Sequence, residues 1–166
     1  MQVSIWEKES FYAPKDVIII GSGLAGLWGA WYLKKKKPGL SVCIVDRGII
    51  PTGASTRNAG FACYGSLTEL IRDIEQNGAD KMVSLVEMRY RGLQRIQKVF
   101  GKKQIDFELC GGYELFAEED KVDKEVLEEK MHGLNKLLRS VVTENNTFRL
   151  SDKKIKKFCF NHITHL

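Results

Sequence analysis

The sequence predicts an α/β chain: a parallel strand–helix–strand unit at the N-terminal end, followed by helices and a β-hairpin. Three observations predict it. Val17-Ile18-Ile19-Ile20 and Val42-Cys43-Ile44-Val45 are short apolar runs of strand length, and the first suits a strand buried on both faces. Leu24 to Lys37 lies between them with helical character, so strand, helix and strand fall within about 30 residues, as in a βαβ unit. Beyond residue 66 the apolar residues recur at helical spacing, and a Gly-Gly pair separates two strand-like runs.

Taken in order, the first strand is bounded by Asp16 and Gly21. The helix that follows carries lysines at its C-terminal end, where they complement the dipole, and Pro38-Gly39 stops it. Ile50 to Gly65 is rich in Gly, Ser, Thr and Asn and reads as loop. Ser66 with Glu69 fits a capping box for a helix from Leu67 to about Gln76. Asp80 is a candidate cap for a second helix, with Met82, Leu85, Val86, Leu93, Ile96 and Phe100 at helical spacing. Ile105–Leu109 and Tyr113–Ala117 read as two strands joined at Gly111-Gly112. A third helix is expected from about Lys121 to Val141, with Val122, Val126, Leu134, Leu137, Leu138 and Val141 on one face. Beyond Asn145 the pattern weakens.

The turn out of the first strand is Gly21-Ser22-Gly23-Leu24-Ala25-Gly26, a G-x-G-x-x-G sequence. In a dinucleotide site the first glycine permits the tight turn, the second lets backbone approach a pyrophosphate, and the third lets the helix pack on the strand. The phosphate charge would then lie at the helix N-terminus, among free N–H groups. Asp46 follows Gly26 by 20 residues and closes the second strand, where a carboxylate can accept hydrogen bonds from ribose hydroxyls. Alone the glycine pattern is weak, but here it follows a strand and opens a helix. A glycine-rich turn that binds nothing, and a plain surface carboxylate at Asp46, are the structural alternatives.

Asp16 to Gly26, then Val45-Asp46-Arg47, then Gly53-Ala54-Ser55-Thr56-Arg57-Asn58-Ala59-Gly60-Phe61, resemble the start of the D-amino-acid oxidase family of FAD-dependent oxidoreductases, which includes glycine and sarcosine oxidases. The resemblance is strong over residues 16–66 and compatible to about Val141. It implies a Rossmann-like FAD-binding unit over 1–66 and a helical segment of a partial substrate domain over 67–166. It implies FAD as cofactor, and oxidation of an amino acid or related amine by hydride transfer to flavin. A loop like Gly53–Gly60 runs along the flavin in that family, making Ala54, Ser55, Arg57, Asn58, Ala59 and Gly60 candidate cofactor contacts, with Arg57 able to pair with a phosphate. Arg47 stands where members often carry a basic residue near the adenosine; an exposed surface arginine is the other reading. Ser55 and Asn58 also suit local turn capping. Cys63, just past this loop, reads as a buried small residue. The family's later strands and substrate-binding groups have no counterpart before Leu166, so the chain reads as truncated, with the catalytic residues outside it. A flavin dehydrogenase using an acceptor other than oxygen, and a non-catalytic nucleotide-binding fragment, are the competing readings.

Composition excludes other classes. The net charge of +5 includes two basic runs, Lys34–Lys37 and Arg149–Lys157, neither interleaved with aromatics as in a nucleic-acid module; a solvated helix end and a solvated loop account for them. No apolar run reaches the roughly 18 residues that span a bilayer, and Glu7, Lys8 and Glu9 do not suit a cleaved signal. Cys43, Cys63, Cys110 and Cys159 form no close pair, which suits reduced thiols in a cytoplasmic protein. His162 and His165 would share a helical face but lack a third ligand, and His132 reads as surface, so no metal is expected. The expected partner is a small amine or amino acid, with no nucleic acid; oligomeric state is not readable.

Overall fold

A computed structural model of the chain describes residues 3–117, 123–144, 146–151 and 160–165. They fall into two compact units, residues 1–61 and 62–166.

The first unit holds α1 (Ile5–Glu9), β1 (Val17–Ile20), α2 (Leu24–Lys36), β2 (Val42–Val45) and a 3-10 turn at Ala54–Thr56. The short α1 has a reciprocal cap: the Glu7 amide donates to Ser4 Oγ, and the Ser4 amide donates to the Glu7 carboxylate at 2.8 Å. β1 and β2 pair in parallel, Val17 with Val42 through Ile20 with Val45. Asp16 anchors the start of the pair by accepting from the amide and hydroxyl of Ser41, both at 2.7 Å. At the far end of α2, Lys34 Nζ donates to the carbonyls of Pro38 and Leu40, and Lys35 lies over the Trp31 ring at 4.8 Å.

β1 departs from the expected burial on both faces. Ile19 packs toward α2, whereas Ile18 is 62% and Ile20 91% exposed. Within this unit one helix covers one face of the pair. None of its described residues is fully buried.

The core lies in the second unit, built from α3 (Leu67–Asn77), α4 (Ala79–Phe100), a 3-10 turn (Lys102–Ile105), β3 (Tyr113–Ala117), α5 (Lys124–Leu138), β4 (Arg149–Ser151) and β5 (Phe160–His165). Leu67 and Leu70 of α3, Met82 and Val86 of α4, and Leu127, Met131, Leu134 and Leu138 of α5 interdigitate with Phe116 and Phe148. Such spacings of three and four place one stripe of each helix inward. The predicted capping box at α3 is half made: Ser66 Oγ accepts from the Glu69 amide, while Glu69 pairs with Arg89 at 3.0 Å. Glu114 of β3 completes the helix end, accepting from the Thr68 amide and the Ser66 hydroxyl.

Four sequence expectations change here. Asp80 is not a cap; Gly78, at φ +86°, is the junction of α3 and α4, and Asp80 sits in the first turn of α4, where its charge meets the dipole. Ile105–Leu109 is not a strand, because Asp106 adopts left-handed backbone at φ +46° and interrupts the extended run. β3 instead pairs antiparallel with β5, and β4 pairs with the other side of β5, giving the order β3-β5-β4. In α5 the buried stripe is Leu127, Met131, Leu134, Asn135 and Leu138, while Val126 is 48% exposed and Leu137 sits at its margin. Asp123 caps that helix by accepting from the amides of Glu125 and Val126, and Val141 lies past its end. The predicted start at Lys121 and the residue Val122 lie outside the described residues, as do Cys159, residues 152–157 of the basic run and Leu166.

Buried Asn135 substitutes for a strand partner. Its amide accepts from the Phe148 N–H at 2.9 Å and donates to the Phe148 carbonyl at 2.8 Å. His162 and His165 lie on β5, so the helical face proposed to unite them does not form. Among the described residues no cluster of three metal-ligating side chains occurs, and no helix is long and apolar enough to cross a membrane.

Candidate cofactor site

The glycine turn is built as its sequence requires. The Gly21 amide donates to the Val45 carbonyl at 2.7 Å, extending the β1–β2 ladder by one step, and Gly21 then turns through φ +100°. That left-handed region is costly for any residue bearing a Cβ. Gly26 sits against the turn so closely that an added Cβ would lie 2.1 Å from the Gly21 carbonyl oxygen. Gly23 is the N-cap of α2, and a Cβ there would meet Ser55 Oγ at 3.1 Å.

Two side chains from later in the chain close on this turn. Asp46 Oδ2 accepts from the Ser22 amide at 2.8 Å and from the Ser22 hydroxyl at 2.7 Å, while Oδ1 accepts from the Gly48 amide at 3.2 Å. These bonds, those from Ser22 foremost, hold the Asp46 carboxyl down at about 2, so it is an anion at neutral pH. Ser55 Oγ accepts from the Leu24 amide at 3.0 Å, taking up one of the unpaired donors at the start of α2.

A cleft of about 300 Å³ opens here, at the small end of the range for ligand sites. Of the residues singled out in the sequence, Gly21, Gly23, Asp46, Arg47 and Ser55 line it. Ile20, Val45 and Gly53, which the sequence offers only as part of the family resemblance, line it as well, and so do Pro51 and Thr52, which carry no chemical signal in sequence. Ser22, Leu24, Ala25, Gly26 and Ala54 stand behind or beside this lining. Arg57, Asn58, Ala59 and Gly60 do not reach it. Asn58 braces its own loop, donating to the Ser55 carbonyl and accepting from the Gly60 amide, both at 2.7 Å. Cys63 is an exposed free thiol rather than the buried small residue expected, because the loop around it has no regular structure to cover it; Cys43 and Cys110 are free thiols as well.

The cleft thus combines side-chain-free backbone at a helix N-terminus, a fixed carboxylate and an arginine. That donor set fits the ribose and phosphates of a nucleotide: carboxylate for hydroxyls, backbone N–H and guanidinium for anionic oxygens.

Comparison with known proteins agrees. The family described as FAD dependent oxidoreductase matches residues 16–156. Among curated proteins, thiamine thiazole synthase of Yarrowia lipolytica is 46% identical over 44 residues, covering 26% of this chain and 14% of that protein. The thiamine thiazole synthase of Schizosaccharomyces pombe is 36% identical over 44 residues, 26% of this chain and 13% of that protein. The chain therefore spans only a small part of the curated relatives it matches. No solved structure matches. With the glycine turn, the parallel strand pair and a family match running through both units, the chain belongs to the FAD-dependent oxidoreductase family.

Proposed function

We propose that residues 1–61 hold the adenosine-pyrophosphate half of FAD, with the ribose at Asp46 and the pyrophosphate at the Gly21–Gly23 turn, and that residues 62–166 contribute to the substrate side of an enzyme oxidising an amino acid or related amine. The observation that supports this most is the convergence of Asp46, Gly23 and Ser55 on one cleft at the start of α2. When bound, the flavin supplies the hydride acceptor; the chain supplies binding and orientation. The matches to thiamine thiazole synthase cover 44 residues, 26% of this chain, too little to carry a thiazole-forming activity over to it. The cleft takes one half of a dinucleotide, and the expectation is weak FAD binding without turnover by this chain alone. Titration of the purified chain into FAD, with flavin fluorescence as readout and amine-dependent peroxide measured in parallel, tests it. Unchanged flavin fluorescence would refute the binding role, and sustained turnover would refute the expectation that this chain alone does not turn over.

A further inference from the structure

Asp46 lines the cleft, and Ser22 does not. Yet Ser22 gives Asp46 two donors, both on Oδ2, from the backbone at 2.8 Å and the hydroxyl at 2.7 Å, beside the backbone donors of Gly48 and Arg47. The terminal torsion of a free aspartate is broad and roughly two-fold. Two donors converging on one oxygen remove that freedom and distinguish the two oxygens. An ionised carboxylate offers about four acceptor sites. Ser22 fills both on Oδ2, and the Gly48 amide takes one on Oδ1 at 3.2 Å. Oδ1 is thus the oxygen that Ser22 leaves open.

We propose that Ser22 is a positioning residue that locks the Asp46 carboxylate by holding Oδ2, so that Oδ1 is the oxygen that takes a ribose hydroxyl, giving the site a preference for nucleotides with an intact ribose. The inference rests on the nucleotide reading of the cleft and goes beyond it by assigning the hydroxyl of a residue outside the lining. The same Ser22 bonds keep the carboxylate ionised, which strengthens what Oδ1 can accept.

The test uses the full chain and calorimetric titration with ADP, 2′-deoxy-ADP and 3′-deoxy-ADP. The expected preference of the unaltered chain for ADP over one of the deoxy forms is about tenfold, the size of one hydrogen bond to a charged group. Ser22→Ala keeps the backbone donor but loses the hydroxyl, and should cut that preference to about threefold or less. Ser22→Thr should retain it. A structural role alone would weaken ADP and its deoxy forms in parallel and leave their ratio untouched. Should Ser22→Ala fail to fold, Ser22→Gly removes the same hydroxyl. A ratio unchanged in the truncated variants overturns the proposal while leaving the nucleotide reading intact. Failure of the unaltered chain to bind ADP at all overturns both.

Discussion

Gly26 and Gly29 lie one turn apart on α2, and alanine at each should act in opposite directions. Alanine in a helix interior is worth about 1 kcal/mol over glycine. At Gly29 an added Cβ meets only Ile19 Cδ1, at 4.0 Å, so that gain is realised. At Gly26 the Cβ would lie 2.1 Å from the Gly21 carbonyl oxygen and 3.2 Å from Ile19 Cγ2. A relaxed carbon–oxygen contact is about 3.3 Å, so helix and turn must separate by about 1 Å. Overpacking of this kind costs about 1–3 kcal/mol, and backbone on backbone belongs at the upper end. The net effect of Gly26→Ala is then a loss of about 2 kcal/mol. Because the propensity gain is common to both variants, their difference, about 3 kcal/mol, isolates the contact. Trp6, Trp28 and Trp31 are the chain's three tryptophans and all lie in the first unit, so urea unfolding followed by tryptophan fluorescence reports that unit selectively. Coincident midpoints for the two variants, or a higher one for Gly26→Ala, would refute the close packing of turn against helix.

Acid should loosen the same unit through Asp46. Its folded carboxyl is held at about 2 against an ordinary 3.8, so it binds protons less readily than in the unfolded chain. The stability it contributes is complete above the ordinary value and is lost as pH falls through that window toward about 2. Asp46→Asn should flatten the tryptophan-detected acid transition across this window; a slope equal to that of the unaltered chain would count against the Ser22–Asp46 bonds. In the second unit, Leu134→Ala at a position 1% exposed should cost about 2–5 kcal/mol in denaturation followed by circular dichroism. Val126→Ala, at 48% exposure, should stay within about 0.5 kcal/mol. Equal losses would show that α5 presents a different stripe to the core.

The parts legible in sequence are those where local chemistry decides the outcome. β1 and β2 match their predicted bounds because glycine and acidic residues punctuate short β-branched runs. The turn at Gly21–Gly26 is legible because glycine is required by φ at Gly21 and by contact at Gly26. The sheet of the second unit was not, since the pairing of β3 with β5 joins residues more than 40 positions apart and depends on no local signal. A weak extended preference at Ile105–Leu109 yields to the left-handed Asp106. The stripe on α5 is legible at Leu134 and Leu138 but not at its start, where the buried residue is Leu127 and not its equally apolar neighbour Val126. α1 went unread although Ser4 and Glu7 spell a capping box, for a single turn carries little apolar periodicity. Within the site, Asp46 and the glycines carry recognisable chemistry, but Pro51 and Thr52 enter the lining only through the path of the loop.

The order β3-β5-β4 has a kinetic consequence. Among the described residues the middle strand of that sheet is its last in sequence, so neither β3 nor β4 has a described strand neighbour until residues 160–165 have been synthesised. The helices α3 to α5, whose contacts are nearer in sequence, are free to pack first, and long-range pairing closes late. During synthesis the β3 edge that β5 later takes therefore waits, and a waiting strand edge is the state from which intermolecular pairing begins. The Glu114 carboxylate, tied to the start of α3 through Thr68 and Ser66, gives the waiting strand an attachment that does not depend on its future neighbour.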